Sequence, residues 1–156
     1  MSWQNQPRHM KSPYDARTFR PQDGLGWLIG LVRKAIIENT EERLAPLDIS
    51  AAQWIVILVM ADRAAITQSE LCRLLNYDPG AMTRLVDRLA AKGFVQRVRP
   101  EDDRRTVSLE LTPAGRALYP PIIDALVAVY NKLLRGFTRP EQQALEGFLR
   151  RILDNA

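Results

Sequence analysis

The sequence predicts a mainly helical protein with a small β-ribbon, arranged as a winged helix-turn-helix between N- and C-terminal helices. Three observations lead to this fold class. Two short helices follow one another over residues 67–93, a charged strand–loop–strand pattern occupies residues 94–112, and long amphipathic stretches lie on both sides. A helix of this size fits the major groove of DNA, and a basic hairpin tip beside it can reach an adjacent groove.

The composition agrees with a single domain that carries a local positive charge. The 156 residues suffice to bury a core, and 46% hydrophobic and 26% charged residues are ordinary for a globular protein. The formal net charge of +4 permits an anionic partner without requiring one. Between positions 84 and 105, seven basic residues outnumber four acidic ones. The basic residues are Arg84, Arg88, Lys92, Arg97, Arg99, Arg104 and Arg105, and the acidic ones are Asp87, Glu101, Asp102 and Asp103.

Several classes of protein are disfavoured. No apolar run approaches the roughly 18 residues that span a bilayer, and no apolar signal core opens the chain. The single cysteine, Cys72, cannot form an intramolecular disulfide, which fits a reducing cytoplasm. The single histidine, His9, lies in a polar leader, so a histidine- or cysteine-based metal site is not expected, although carboxylate ligands stay open. We therefore expect a cytoplasmic protein without a membrane anchor or a cofactor.

The N-terminal part divides into an arm and a helix. Residues 1–22 are polar and rich in proline and arginine, and we expect a flexible arm. A helix follows over about residues 23–44, with an apolar stripe, and Pro46 ends it. The stripe contains Leu25, Leu28, Ile29, Val32 and Ile36. Residues 23–49 are assigned to dimerisation.

The second helix is expected to lie in the centre of the domain. Ser50 and Gln53 have the spacing of a capping box, which predicts a helix through about residue 62. Residues 54–60 are apolar all round, and such a helix is normally buried. The next residues, 64–66, are expected to form a short third strand beside the ribbon.

Two helices then form the helix-turn-helix. Thr67 and Glu70 predict another capping box and a helix to about residue 75. Asp78 is expected to cap the following helix, with Pro79 at its first position and Gly93 beyond its end. Its apolar residues repeat at i, i+3, i+4 and i+7, so they are expected to face the core. They are Met82, Leu85, Val86 and Leu89.

The same periodicity predicts which residues point outward. They are Gly80, Ala81, Thr83, Arg84, Asp87, Arg88 and Ala91. Small residues at 80 and 81 let the helix approach the floor of a groove, and Arg84 is able to make two hydrogen bonds to a guanine edge. Thr83 is a candidate for a phosphate or a thymine methyl. An ordinary solvated helix face is the alternative for each of these positions.

The C-terminal part is expected to be helical and rich in apolar surface. A long helix starts at Thr112 and reaches about residue 137, and the Pro120–Pro121 pair must kink or divide it. Thr138 and Glu141 open a last helix. Residues 50–112 are assigned to the winged domain and residues 113–156 to dimerisation. The apolar surface of the terminal helices exceeds what a small winged domain can cover, which favours an identical partner related by a twofold axis.

Two segments carry a family resemblance. Asp103, Arg104 and Arg105 precede a strand and the run at residues 109–115, and residues 82–89 lead to Lys92 and Gly93. In this order they resemble the MarR family of bacterial transcriptional regulators, over about residues 23–154. The resemblance implies a triangular homodimer that straddles a pseudo-palindromic operator in double-stranded DNA.

The resemblance also implies roles for single residues. Arg84 would read bases in the major groove, and Arg105 would enter the minor groove, where an arginine suits narrow A·T-rich sequence. Asp103 and Asp87 would hold the wing arginines by salt bridges. Arg88, Arg97 and Arg104 complete the expected DNA-binding set. A wing with merely solvated charges is the alternative.

Regulation is implied by the resemblance as well. The family usually acts as repressors that small phenolic or aromatic acids release from DNA, through a coupling free energy of about 1–3 kcal/mol. The candidate lining residues are Trp27, Trp54, Met60, Arg63 and Tyr77. Ordinary packing is the alternative for each. A redox switch at Cys72 is a second idea, against which a buried small hydrophobic residue is the plainer interpretation.

Two rival functions differ from DNA reading. Catalysis usually needs a histidine, paired carboxylates or an activated nucleophile in a cleft, whereas the sole histidine of this chain lies in the leader and no phosphate-cradling glycine loop appears. A winged domain that binds protein instead of DNA is the other rival, and salt dependence separates it from a DNA reader. The operator, the target genes, the effector and the sign of regulation do not follow from the sequence.

Overall fold

Helices make up most of the computed structural model, which describes residues 13–99 and 106–156. The helices are α1 Leu25–Leu44, α2 Ala51–Ala61, α3 Gln68–Leu75, α4 Pro79–Ala91, α5 Pro113–Ala117, α6 Tyr119–Leu133 and α7 Arg139–Asp154. The strands are β1 Ile66–Thr67, β2 Val95–Val98 and β3 Ser108–Leu111. The predicted fold class is confirmed, including the winged helix-turn-helix between N- and C-terminal helices.

The chain divides into two compact units, Met1–Ala35 and Ile36–Ala156. In the first, the Tyr14 ring packs edge-on against Phe19, with 5.2 Å between the centroids. The Tyr14 hydroxyl accepts a hydrogen bond from the Leu25 amide at 3.1 Å, which satisfies one of the free N–H groups at the start of α1. A 3-10 turn, Pro21–Asp23, lies within the predicted arm.

The core of the second unit is built around α2. Trp54, Val56, Ile57 and Met60 of this helix are buried, which confirms the prediction of a central helix. Each buried aliphatic side chain of this kind stabilises the fold by about 1.5–3 kcal/mol. The first residue of α2 is held by α1. The Ala51 amide donates a hydrogen bond to the Glu41 carboxylate of α1 at 2.7 Å.

A three-stranded antiparallel sheet closes the winged domain, with the order β1-β3-β2. Ile66 pairs with Leu109, and Val95 pairs with Leu111. These four side chains are buried, so alternate residues of each strand face the core. The predicted third strand exists, and it comprises Ile66–Thr67 rather than residues 64–66.

The C-terminal stretch is divided, as the two prolines predicted, but the division precedes them. α5 ends at Ala117 and α6 begins at Tyr119, so Pro120 and Pro121 occupy the first turn of α6, where no helical hydrogen bond needs their missing N–H. α6 ends at Leu133 and not at residue 137. Gly136, with a φ of 90°, lies in the left-handed region that ends helices.

Gly115 is a position where the fold tolerates no side chain. A Cβ built there would lie 2.0 Å from the Phe94 carbonyl oxygen, which accepts a hydrogen bond from the Thr112 amide at 3.1 Å. The contact joins the start of α5 to the ribbon. Because the neighbour is backbone, it cannot turn aside as a flexible side chain would.

Gly115→Ala is therefore expected to destabilise the protein by about 1–3 kcal/mol, through a forced shift of backbone in a packed region. Urea unfolding monitored by circular dichroism measures this change. Arg116→Ala, at the exposed neighbour on the same helix, is the control and should alter the free energy of unfolding very little. Equal unfolding midpoints for Gly115→Ala and the wild type would contradict the packing argument.

Candidate nucleic-acid interface

The buried face of α4 determines which of its side chains face solvent. Met82, Leu85, Val86 and Leu89 are at most 1% exposed, which confirms the predicted inward face. The opposite face carries the predicted outward residues. Gly80, Thr83, Arg84, Asp87, Arg88 and Ala91 are exposed, and Ala81 is half-buried. The helix therefore presents its two arginines on the side away from the core.

The start of α4 is held by its cap. Asp78 accepts a hydrogen bond from the Ala81 amide through Oδ1 at 2.8 Å, and Pro79 takes the first helical position, as predicted. A Cβ at Gly80 would lie 3.3 Å from the same Asp78 oxygen. Glycine thus leaves room for the cap and presents no side chain at position 80, so that another molecule can approach the backbone there closely.

Thr83 is tied to the helix before it. Its Oγ1 lies 2.7 Å from Gln68 Nε2 of α3 and 2.9 Å from the Pro79 carbonyl oxygen. Sequence reasoning missed Gln68, because a polar residue at the first position of a helix has no periodicity that marks it. The pair joins α3 and α4 at the exposed surface of the helix-turn-helix.

An ion pair links α4 to the wing. Arg97 of β2 donates through Nη2 to Asp87 Oδ1 at 2.6 Å, and both side chains stay 41% and 56% exposed. An exposed pair of this kind contributes about 0.2–1 kcal/mol. It brings two residues of the predicted DNA-binding set together and gives Asp87 a partner of opposite charge. Arg84 and Arg88 form no ion pair with any residue in 13–99 or 106–156.

The end of α4 is tied to the turn between α1 and α2. Lys92 Nζ lies 2.8 Å from Asp48 Oδ2 and also donates to the Asp48 carbonyl. Asp48 has a φ of 50°, a left-handed conformation that aspartate tolerates. Both residues line an open cleft of about 780 Å³. The cleft is lined by Ala45, Asp48, Ile49, Ser50, Gln53, Arg88, Ala91 and Lys92.

Glu70, the capping carboxylate of α3, has a shifted pKa. Hydrogen bonds from the Thr67 amide and hydroxyl to Glu70 Oε2, at 2.7 and 2.8 Å, hold the pKa of the Glu70 carboxyl below its usual range. The amide of Glu70 donates back to Thr67 Oγ1 at 3.2 Å. The predicted capping box is therefore present. It holds the first turn of α3, the helix that precedes α4.

The predicted wing tip lies outside the described residues. Asp103, Arg104 and Arg105 fall in the gap at residues 100–105, between β2 and β3. The strands on either side of the gap are paired, with Val98 opposite Ser108. Both strands, β2 and β3, lie within the predicted strand–loop–strand segment at residues 94–112.

The five candidate effector-binding residues differ in their exposure. Trp54 and Met60 are 6% and 2% exposed and belong to the core, and Arg63 donates to the Val59 carbonyl at 2.6 Å. Tyr77 is exposed, and Trp27 is exposed within the first unit. Four clefts within residues 13–99 and 106–156 have linings that contain none of the five.

Residues 13–99 and 106–156 contain no group of three or more histidine, cysteine, aspartate or glutamate residues that could hold a metal ion. Cys72 is half-buried on α3. In the same ranges no single helix has the length and apolarity to cross a membrane, and only the bent pair Leu25–Leu47 with Ala51–Ala61 passes on those two criteria.

Comparisons with known proteins agree with this geometry. Residues 47–106 match a model described as MarR family. The chain is 36% identical to the multiple antibiotic resistance protein MarR of Escherichia coli K12 over 83% of this chain and 90% of that protein. It is 27% identical to the regulator SarZ of Staphylococcus aureus MRSA252 over 85% and 90% of the two chains. Among solved structures, a cysteine-to-serine mutant of E. coli MarR complexed with operator DNA superposes with a TM-score of 0.76, at 36% identity over 83% of this chain and 93% of that one.

Removal of the α4 cap gives a direct test of how the interface is held. Asp78→Ala should destabilise the protein by about 0.5–2 kcal/mol, because the Ala81 amide loses its acceptor. Amide hydrogen exchange should rise in the first turn of α4 and stay unchanged in α6. Asp78→Ser is the matched control, since serine also caps helices and should restore most of the protection. Equal exchange in the alanine and serine variants would show that the cap does not hold this turn.

Proposed function

The chain belongs to the MarR family of DNA-binding transcriptional regulators, which are not enzymes, and we propose that it is a homodimeric repressor released by a small aromatic acid. In this proposal α4 of each subunit enters the major groove of one half of a pseudo-palindromic operator. The protein acts in the cytoplasm, where its DNA target lies.

The outward face of α4 is the observation that carries the proposal. The apolar residues of α4 are buried, so Arg84 and Arg88 extend from the opposite side of the helix. Neither arginine has an ion-pair partner among the described residues. A guanidinium without an ion pair among the described residues is available for the two acceptors of a guanine edge or for phosphate oxygens. Gly80 and Ala81 keep the first turn slim enough for the groove.

The wing supplies the remaining contacts in this proposal. Asp103 orients Arg104 and Arg105, and Arg105 enters the minor groove beside the half-site. Arg97 lies at the base of the wing and is held by Asp87 at 2.6 Å. Because this pair neutralises Asp87, an acidic residue close to DNA does not repel the phosphates there.

Apolar side chains on α6 and α7, with Phe137 between the two helices, support the homodimer. They are between 36% and 73% exposed on a single chain. These residues are Val127, Tyr130, Leu133, Phe137, Leu145, Phe148, Leu149, Ile152 and Leu153. A contiguous surface of this kind marks an interface, and a twofold axis lets the same surface serve both subunits.

For the effector we propose an aromatic anion. Trp27, Trp54, Met60, Arg63 and Tyr77 stay the predicted set, and Arg63 is its only cation. The cleft beside the end of α4 is an alternative place, because it combines an apolar floor with Arg88 and Lys92. An anion in that cleft would compete with Asp48 for Lys92 and so loosen a tie between α4 and the α1–α2 turn.

Selection of binding sites from a random duplex pool tests the DNA proposal. The wild type should recover an inverted repeat with half-sites about one helical turn apart, and Arg84→Ala should lose the base preference. Affinity should fall roughly 10³- to 10⁵-fold between 50 and 200 mM salt if about 6–10 phosphates are neutralised. Arg116→Ala, on α5, is the matched control. A wild type with salt-sensitive binding but no repeat would contradict operator reading.

Disruption of the C-terminal apolar surface tests the homodimer. Leu153→Glu places a charge on the most exposed of these side chains, at 73%, and should shift the protein from dimer to monomer in sedimentation experiments. Operator affinity should drop with it, because each monomer holds one half-site. Gln143→Glu adds the same charge on the opposite side of α7 and should stay dimeric. Dimerisation by both variants would place the interface elsewhere.

A titration of benzoic and hydroxybenzoic acids against the protein–operator complex tests the effector. An active acid should weaken DNA binding about 5- to 150-fold, the range of a coupling free energy of about 1–3 kcal/mol. Cyclohexanecarboxylate, which has the charge without the ring, is the control ligand. Loss of the response in Arg63→Gln supports the predicted residues, and loss in Lys92→Gln supports the cleft. A panel without any active acid would speak against an aromatic anion.

A further inference from the structure

The Thr83 hydroxyl on the outward face of α4 already has two hydrogen-bond partners within the protein. Its Oγ1 lies 2.9 Å from the Pro79 carbonyl oxygen and 2.7 Å from Gln68 Nε2. Thr83 is nevertheless exposed, and it precedes Arg84, the residue proposed to read guanine. The chemistry that Thr83 offers to DNA therefore depends on what these two contacts leave free.

The two contacts determine the direction of both hydrogen bonds. A carbonyl oxygen only accepts, so the contact with Pro79 takes the single proton of the Thr83 hydroxyl. The hydroxyl then has no proton left for Gln68, and the Gln68 amide N–H must be the donor. One lone pair of Thr83 Oγ1 accepts from Gln68, and one lone pair remains free.

We propose that the Pro79 carbonyl and Gln68 together make Thr83 an acceptor-only reader, with Gln68 as the positioning residue that keeps the hydroxyl proton directed at Pro79. Thr83 then selects adenine or cytosine on the one DNA strand that it contacts in each half-site. The inference rests on the proposed function, because it requires α4 in the major groove. Adenine N6 and cytosine N4 are the hydrogen-bond donors that bases present there, whereas guanine O6, guanine N7 and thymine O4 are acceptors. Phosphate oxygens also only accept hydrogen bonds. Because the Thr83 proton is already donated to Pro79, Thr83 cannot donate to a phosphate, which was one of its expected partners from the sequence.

Gln68 is placed to hold this arrangement. It is the first residue of α3, directly after Thr67, whose side chain and backbone are held by the Glu70 capping box. The Gln68 side chain is half-buried between two helices that pack on one core. A side chain anchored in this way loses little further freedom when DNA binds, which favours a stable hydroxyl orientation over a rotating one.

The test compares base preferences of the full-length protein at every position of the selected operator. Gln68→Met keeps the bulk of the side chain and removes the donor, and Thr83→Val keeps the shape and removes the acceptor. Each variant should lower the preference for adenine or cytosine at the same single position by about threefold to tenfold, the contribution of one neutral hydrogen bond. The double variant should lose no more than Thr83→Val alone. Gln143→Met on α7 is the matched control and should change no position.

A merely structural tie between α3 and α4 would give a different result. A lower Tm for Gln68→Met with unchanged base preference overturns the inference, and so does an additive loss in the double variant. If Gln68→Met fails to fold, Gln68→Leu replaces it, because an aliphatic side chain can neither donate to Thr83 nor accept from it and should relax the same position.

The experiments distinguish a failure of this inference from a failure of the proposed function. If Arg84→Ala abolishes the inverted repeat while the Gln68 variants change nothing, operator reading stands and only this inference falls. If the wild type shows no base preference at any position, both fall together.

Discussion

The burial of one face of α4 is the constraint on which the remainder of the interface depends. Four apolar side chains, Met82, Leu85, Val86 and Leu89, are almost fully removed from solvent. Each stabilises the fold by about 1.5–3 kcal/mol. A rotation of the helix about its axis would expose these side chains and would therefore lose more free energy than any one surface contact contributes. The direction of Arg84 and Arg88 is a consequence of that burial. The proposed DNA-binding face thus follows from the core rather than from surface charge.

Polar contacts then hold α4 along its length. Asp78 caps its start, Gln68 and Asp87 connect its middle to α3 and to β2, and Lys92 ties its end to the α1–α2 turn. The ion pairs among these contacts are at the surface and contribute little to stability on their own. Their effect is on position, because they limit how the helix tilts on its apolar support. A reader of base edges needs such limits, since hydrogen bonds weaken steeply with distance and angle.

The apolar surface of α6 and α7 connects this reader to an assembly. Side chains such as Phe148 and Leu153 are more than half exposed on a single chain, although their periodicity is that of a buried helix face. Solvation of that face costs free energy, and burial in a homodimer removes the cost. In the proposed homodimer the same association would set the distance between two copies of α4, so that the terminal helices would govern which operator spacing is read. The proposed effector would need only a small coupling free energy to release DNA by changing this distance.

The sequence by itself determined the elements and their faces. Capping residues such as Asp78 and Thr138 and the apolar periodicity of α4 predicted where helices begin and which side is buried, because both depend on neighbours within one or two turns. Only the tertiary structure revealed the long-range pairs. Gln68 contacts Thr83 across 15 residues and Lys92 contacts Asp48 across 44, and no local pattern encodes either. It also placed Trp54 and Met60 in the core, since side chains of this type serve equally well in a binding pocket and in packing. Which apolar residues meet in the core, and which polar residues meet at the surface, depends on how separate elements pack.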